Sequence, residues 1–311
     1  MCVCVCVCVC VLRMEQLLHW ANTLVVDPLL LRVESNPANT PLDFDYSLLR
    51  QSTVMTVMLI LLAYVSYFAL SGLSYLTTFV VFRRYFFPGG VSMEKGQIGR
   101  EIRLSCSSII TMSILTVPFE LLTLYRYTNV YFDVNDYPIA YMFLCPFLFL
   151  IFTDTCIYWI HYALHWGFLY RWLHKQHHDF LEVTPFSSLA FHPVDGWAQG
   201  MPYHLFVMLF PMHTWMYLIS LFVVNLWTIN IHDRLTMNIP GVNGAKHHDI
   251  HHRTFRGNYG QYLQFWDRIN GTYRDPTDEK WFLKQNFSKY AEEQDKAAGF
   301  STTTTSKDKA D

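Results

Sequence analysis

The sequence predicts an all-α integral membrane protein with about four transmembrane or re-entrant helical segments and a histidine-rich helical cap. Three observations carry that prediction. Of the 311 residues, 52% are hydrophobic and only 15% charged, whereas a soluble domain carries about 25% charged residues. Four apolar stretches are long enough to cross a bilayer or dip into one. Thirteen of the fourteen histidines fall between His161 and His252.

The chain divides into an N-terminal segment over residues 1–46, a membrane-embedded domain over 47–282 and a tail over 283–311. The opening MCVCVCVCVCV is what a translated TGT-GTG repeat would spell, and it reads as low complexity without a structural role. It lacks the basic region and small-residue cleavage site of a secretory signal. The first apolar stretch runs from about Thr53 to Phe82 without a charge. As one helix it would be about 45 Å long, more than the ~30 Å hydrocarbon core, so it is expected to tilt or to break near Gly72. The second runs from about Leu104 to Tyr125, with Pro118 and Glu120 near its far end, and the third from about Tyr137 to Ile160. The fourth, roughly Gly196 to Ile231, is interrupted by Phe210-Pro-Met-His-Thr214, and Pro211 favours a turn there, so a helical hairpin is expected. The tail, rich in Thr, Ser and Lys, reads as disordered and carries no recognisable retrieval signal.

Charge placement predicts the orientation. Arg83, Arg84, Lys95, Arg100 and Arg103 lie between the first two stretches and mark that loop as cytosolic. Residues 129–136 contain two aspartates and no lysine or arginine, so that loop is expected to be lumenal. The third stretch then returns to the cytosol where the histidines begin, and the hairpin keeps every later cluster on the same side. Two glycosylation sequons, at Asn270 and Asn286, fall on the cytosolic side and are expected to stay unmodified.

Three histidine clusters follow. In His161-Tyr-Ala-Leu-His165 the spacing of four puts both imidazoles on one helical face, where they can share a metal. Asp154, seven residues earlier on the same face, suits a supporting role toward a ligand imidazole. In His174-Lys-Gln-His177-His178 one face carries imidazoles able to reach two neighbouring metals, and His247-His248-Asp-Ile-His251-His252 repeats that form with one histidine added. Nine histidines exceed the four ligands of a structural zinc and suit two metals with partly open shells. Imidazole binds iron, zinc, copper and nickel alike, so ligand type leaves the metal open. His192 and His232 flank the hairpin and read equally as ligands or as supports. His19, His204 and His213 stand alone and read as surface or packing residues. The cysteines form no disulfide framework or zinc knuckle. A net charge of −2 without a basic tract gives no reason to expect a nucleic-acid partner.

The order HYALH, HKQHH, HHDIHH resembles the fatty acid hydroxylase superfamily of membrane di-iron enzymes. Within it, FTDTCIYWIHYALH, RWLHKQHHDF, TPFSSLAFHPVDGWAQGMPYH, LWTINIHD and HHDIHHRTFRGNYGQYLQFWDRINGTYR look like the sterol C5-desaturases, also called lathosterol oxidases. The resemblance covers most of residues 154–274 and extends weakly back to about residue 47. It implies two iron ions held by His161, His165, His174, His177, His178, His247, His248, His251 and His252. It further implies an O2-dependent introduction of the C5–C6 double bond into a Δ7-sterol, lathosterol to 7-dehydrocholesterol. Electrons in that family come from cytochrome b5 and its NADH-linked reductase at the endoplasmic reticulum membrane. A sibling chemistry on the same core, C4-methylsterol oxidation or fatty-acid hydroxylation, is the nearest alternative. A non-catalytic metal transporter is the alternative of another class; it should line its spans with polar ligands, whereas these histidines sit at span ends.

Overall fold

Apolar side chains run unbroken through the longest helices, and the structure buries little of them against protein. The structure, a computed structural model, describes residues 46–87, 93–236 and 239–278. The Cys-Val repeat, His19, the C-terminal tail and Asn286 lie outside the described residues. Helix α1 (Tyr46–Tyr75) continues into a π turn at Leu76–Val81, then a short α2 (Arg83–Phe86) leads toward α3 (Gln97–Leu124). After β1 (Val130–Tyr131) come α4 (Ile139–Leu164), a single turn α5 (Gly167–Leu169), a π turn at Tyr170–His174 and α6 (Lys175–His178). A 3₁₀ turn at Pro185–Leu189 precedes α7 (Pro193–Leu209), β2 (Met212–His213) and α8 (Thr214–His232). The chain closes with α9 (Ala245–Thr254) and α10 (Phe265–Ile269).

Among the described residues, four helical stretches are long and apolar enough to cross a membrane: Leu48–Val81, Gln97–Leu124, Ile139–Leu164 and Thr214–His232. Their apolar windows are only 17–28% buried, and residues such as Leu61, Val65, Phe143, Phe147, Ile219 and Val223 stand exposed. A water-soluble protein would not leave so much contiguous apolar surface uncovered. The first span does not break at Gly72, as its length suggested. One glycine in a helix costs only about 1 kcal/mol. The departure comes four residues later, where Thr77 and Thr78 hydroxyls donate to the carbonyls of Leu73 and Ser74. Such back-bonding competes with the helix ladder and accompanies the π turn.

The expected hairpin is present as α7 and α8, turned by Phe210 and Pro211. Its tip is tied to the loop after α3: β1 and β2 pair in parallel, Val130 with Met212 and Tyr131 with His213, and the Asn129 amide donates to Val207 O at 2.7 Å. His213 serves locally, its Nδ1 accepting from Trp215 N at the start of α8. A core of Cys145, Phe149 and Ile157 from α4 against Tyr203, Phe206 and Val207 from α7, with Met212 and Tyr217, holds the hairpin to α4. The loop lacking basic residues and the hairpin tip therefore share one end of the bundle. Running away from that end, α4 and α8 deliver His161, His165 and His232 to the other.

Residues 182–191 plug the bundle at that second end. Phe186 O accepts from Tyr67 Oη of α1 at 2.8 Å and from Ser105 Oγ of α3 at 3.0 Å. Thr184 Oγ1 donates to the buried Glu101 carboxylate of α3 at 2.5 Å, and Ser108 Oγ donates to Phe191 O. Ser105 lies eight residues into α3, about 12 Å along its axis, so this turn reaches well down between the helices.

Candidate metal centre

The bundle end with the plug gathers nine imidazoles into two nests. His161, His165, His174, His178 and His251 form the first; His177, His232, His248 and His252 form the second. Within each nest the nitrogens facing one another lie within 4.8 Å. Helix periodicity explains the sorting. His161 and His165 share a face of α4, whereas the second cluster splits, with His174 and His178 turned to the first nest and His177 to the second. On α9, His248 and His252 are four residues apart and join the second nest, and His251 joins the first.

In six of the nine imidazoles the ring nitrogen away from the nest is anchored. His161 Nδ1 donates to Tyr259 O at 3.0 Å, His251 Nδ1 to Gly257 O at 2.8 Å, and His252 Nδ1 to Phe180 O at 3.1 Å. His177 Nδ1 faces Ala190 O at 3.3 Å, and His232 Nδ1 donates to Thr228 O at 2.7 Å. His174 Nδ1 donates to a carboxylate, Asp195 Oδ2, at 2.7 Å; both side chains are fully buried. Gln199 Nε2 in turn donates to Asp195 Oδ1 at 2.7 Å. A proton fixed on Nδ1 leaves Nε2 as a bare lone pair directed into the nest.

Those lone pairs meet. Nε2 of His161 and Nε2 of His174 stand 3.1 Å apart, and His178 Nε2 is 3.1 Å from the same His174 atom. In the second nest His248 Nε2 lies 3.0 Å from His252 Nε2 and 3.1 Å from His232 Nε2. No neutral tautomer resolves the His161–His174 contact, since both protons are already spent on Tyr259 O and Asp195. Protonation is no remedy for the His248–His252 contact. Burial foremost, and neighbouring imidazoles next, hold His165, His177, His178, His248 and His252 well below the usual imidazole range, and burial brings His251 down to about 3. A cation between the lone pairs removes the repulsion. With metal–nitrogen bonds of ~2.1 Å, two imidazoles at right angles on one metal are ~3.0 Å apart, which matches these separations. Both nitrogens of His165, and His251 Nε2, have no hydrogen-bond partner although buried, as metal ligands would leave them. The donor set therefore fits two metal ions.

Three residues depart from the sequence expectation. His247 is outside both nests: its Nδ1 accepts from Gly244 N at 3.2 Å, its Nε2 is 3.2 Å from Gln264 Nε2, and its ring lies against Tyr273. It sits one position, about 100° of helical turn, from His248. His192 is also outside, its Nδ1 accepting from Val194 N at the start of α7. His232 is inside. Asp154 does not touch a histidine; its Oδ1 accepts from the backbone amides of Tyr262 and Leu263 at 2.7 and 3.2 Å. It thereby pins the segment whose Tyr259 carbonyl orients His161. Asp195, rather than Asp154, is the carboxylate that meets a nest imidazole. The signal for it was the same one that singled out Asp154, an acid beside an apolar stretch, here three residues after His192.

Residues 255–274 frame the first nest. Asp267 accepts from the amides of Tyr259 and Gly260, both at 2.9 Å. Gly257 takes φ +83°, and a Cβ there would stand 2.2 Å from Thr272 O, so only glycine lets its carbonyl reach His251. Over the second nest, Phe191 stacks on His177 with centroids 4.1 Å apart. Glu182 and Asp249 pair with Arg234 and Arg253, with Arg253 2.6 Å from Glu182 and 2.9 Å from Asp249, which binds α9 to the plug and to the end of α8.

Residues 146–272 match the family model described as Fatty acid hydroxylase. A Delta(7)-sterol 5(6)-desaturase of Eremothecium gossypii is 41% identical over 241 residues, which are 75% of this chain and 66% of that protein. Lathosterol oxidase of Rattus norvegicus is 45% identical over 189 residues, 59% of this chain and 63% of the relative, and that of Homo sapiens is 43% identical over the same shares. The chain thus spans between half and two thirds of the length of the curated relatives it matches. No solved structure matches.

Proposed function

Because residues 146–272 belong to the fatty acid hydroxylase family, we propose that this chain is an O2-dependent di-iron desaturase that introduces the C5–C6 double bond into a Δ7-sterol. The observation that carries the metal part is the set of Nε2 lone pairs held 3.0–3.1 Å apart in two buried nests. The sterol desaturase and lathosterol oxidase relatives carry the substrate. In this reading His161, His165, His174, His178 and His251 hold one iron and His177, His232, His248 and His252 the other.

The irons, when bound, supply the oxidising power to take hydrogen from an unactivated sterol C–H bond, which no protein base can deprotonate. The chain's own residues do the rest. Backbone carbonyls keep His161, His177, His232, His251 and His252, and Asp195 keeps His174, in the tautomer that ligates. Burial keeps His165, His177, His178, His248, His251 and His252 neutral, and Phe191, Phe255 and Tyr259 form a lid over rings of the nests. Residues 47–282 form the oxidase domain in this reading, with the nests on the cytosolic face of the endoplasmic reticulum membrane. That face is where electrons from cytochrome b5 and its NADH-linked reductase arrive. C4-methylsterol oxidation and fatty-acid hydroxylation on the same core remain the alternatives, and product analysis separates them. Metal transport is disfavoured because the nests close against one end of the bundle.

The test is sterol profiling of yeast lacking its own C5-desaturase, complemented with this chain or its His177→Ala form. Restoration of Δ5,7-sterols by the wild type and not by the variant is the expected result. Hydroxylated lipid with untouched Δ7-sterols would keep the metal core and reject the substrate.

A further inference from the structure

Asn225 is a polar residue in the middle of an apolar helix, within Leu221-Phe-Val-Val-Asn-Leu226 of α8. Its side chain is exposed on a surface that otherwise faces lipid, and only its amide nitrogen is used, donating to Leu221 O at 2.9 Å. Polar groups at that depth are costly and mark function by default. Across a narrow crevice from Asn225 lie Ser66 of α1 and Ser188 of the plug, which with Thr228 line a cavity of about 10 Å³. Ser188 is fully buried and its hydroxyl has no hydrogen-bond partner. An orphaned buried hydroxyl costs about 1–3 kcal/mol in a folded protein, and a bilayer offers no water to relieve it.

We infer that this notch receives the hydroxyl group of the sterol substrate, with Ser188 and Asn225 as its hydrogen-bond partners. The inference rests on the desaturase reading above. Three features support it. A volume of about 10 Å³ admits one water-sized group, so a hydroxyl fits and a phosphate or carboxylate headgroup does not. The notch opens between α1 and α8, where Val65 and Leu226 are exposed to lipid, which gives a membrane-dissolved sterol lateral access. The notch also adjoins the second nest through the chain itself. Thr228 presents its carbonyl to His232 Nδ1, and Ala190, two residues after Ser188, presents its carbonyl to His177 Nδ1. Asn225 and Thr228 precede His232 by seven and four residues, roughly 10 and 6 Å along the helix. A sterol carries its hydroxyl and its C5–C6 bond on adjoining rings. Anchoring the hydroxyl in the notch directs that bond toward the second nest, which is how a single polar handle would select C5–C6 among many similar C–H bonds.

The experiment compares a Δ7-sterol bearing the free 3-hydroxyl with its 3-methyl ether, using the full chain in microsomes and reading kcat/KM, with metal content measured in parallel. Wild type is expected to prefer the free sterol, and Ser188→Ala to lower kcat/KM for it about tenfold with metal content unchanged, so that the preference shrinks. Asn225→Leu, a lipid-compatible change that leaves the plug intact, is expected to move the preference in the same direction. Discrimination as strong in both variants as in wild type overturns the notch and leaves the desaturase reading standing. A metal-loaded wild type that converts neither sterol overturns both together.

Discussion

Replacing Asp195 separates a carboxylate that tunes a metal from one that merely fills space. Its Oδ2 takes the His174 Nδ1 proton at 2.7 Å and its Oδ1 takes Gln199 Nε2 at 2.7 Å, with no solvent in reach. In Asp195→Ala both donors lose their acceptor, and His174 is free to move its proton to Nε2, the atom that points into the first nest. Loss of such a carboxylate–imidazole partner costs 10–100-fold in metal affinity, or about 1.4–2.7 kcal/mol. Asp195→Asn should fall between, because one amide face must oppose a donor: either His174 Nδ1–H, or Gln199 until that amide flips. The assay is metal content per chain after equilibration against a graded chelator series, in detergent at pH 7.5. One metal equivalent should be released at 10–100-fold lower chelator strength than in wild type, and the second should hold. Equal retention of both metals by Asp195→Ala and wild type across the series would refute the tautomer argument.

Three further expectations come from the same geometry. His232→Ala should abolish sterol desaturation and lose one metal, whereas His247→Ala should keep two metals and cost only about 1 kcal/mol of stability from its bonds to Gly244 and Gln264; metal analysis and product profiling of the pair check this. His165, His177, His178, His248 and His252 titrate below their unfolded value of ~6.5, with His251 at about 3, so below pH ~6.5 the unfolded chain binds more protons than the folded one. Stability and metal retention should therefore fall as pH drops from 7.5 to 5.5, by up to ~1.4 kcal/mol per unit for each imidazole; a flat thermal-unfolding midpoint over that range would count against it. Asn270 is exposed, with its amide donating to Trp266 O, so access does not protect it from glycosylation. Its glycosidase-insensitive mobility on a gel would report a cytosolic site, and a glycan there would reverse the proposed orientation.

Much of this architecture was legible in the chain. Apolar runs announced the spans, Pro211 the hairpin turn, and the i, i+3, i+4 histidines the shared faces. The errors have a common physical origin, which is that spacing gives a face but not what confronts it. His247 and His251 are as well spaced as His248 and His252, yet the His247 ring is turned to Gly244 N and Gln264 while His251 enters the first nest. Asp154 is on the face of His161 as expected, but residues 259–263 return to occupy its carboxylate. The plug was invisible because Thr184-Pro-Phe-Ser-Ser-Leu189 has no periodicity; its position is set by hydroxyls and carbonyls that meet helices 80–119 residues away in sequence. His192 and His232 were marked alike by flanking the hairpin, and spacing alone did not separate the one inside a nest from the one outside.

The dispersal of the ligands along the chain bears on how such a protein is made. Neither nest can be closed by any fragment that stops short of α9, since His251 completes the first and His248 and His252 complete the second. During synthesis, α4 and the second cluster emerge tens of residues before α9, leaving their imidazoles exposed to whatever metal is at hand. In the proposed metal-bound protein both complete donor sets therefore exist only once α9 has docked on the bundle. A ribosome stalled or terminated before residue 245 would release a membrane-inserted chain with unclosed, water-accessible nests, a form that a quality-control protease could recognise by its missing cap alone.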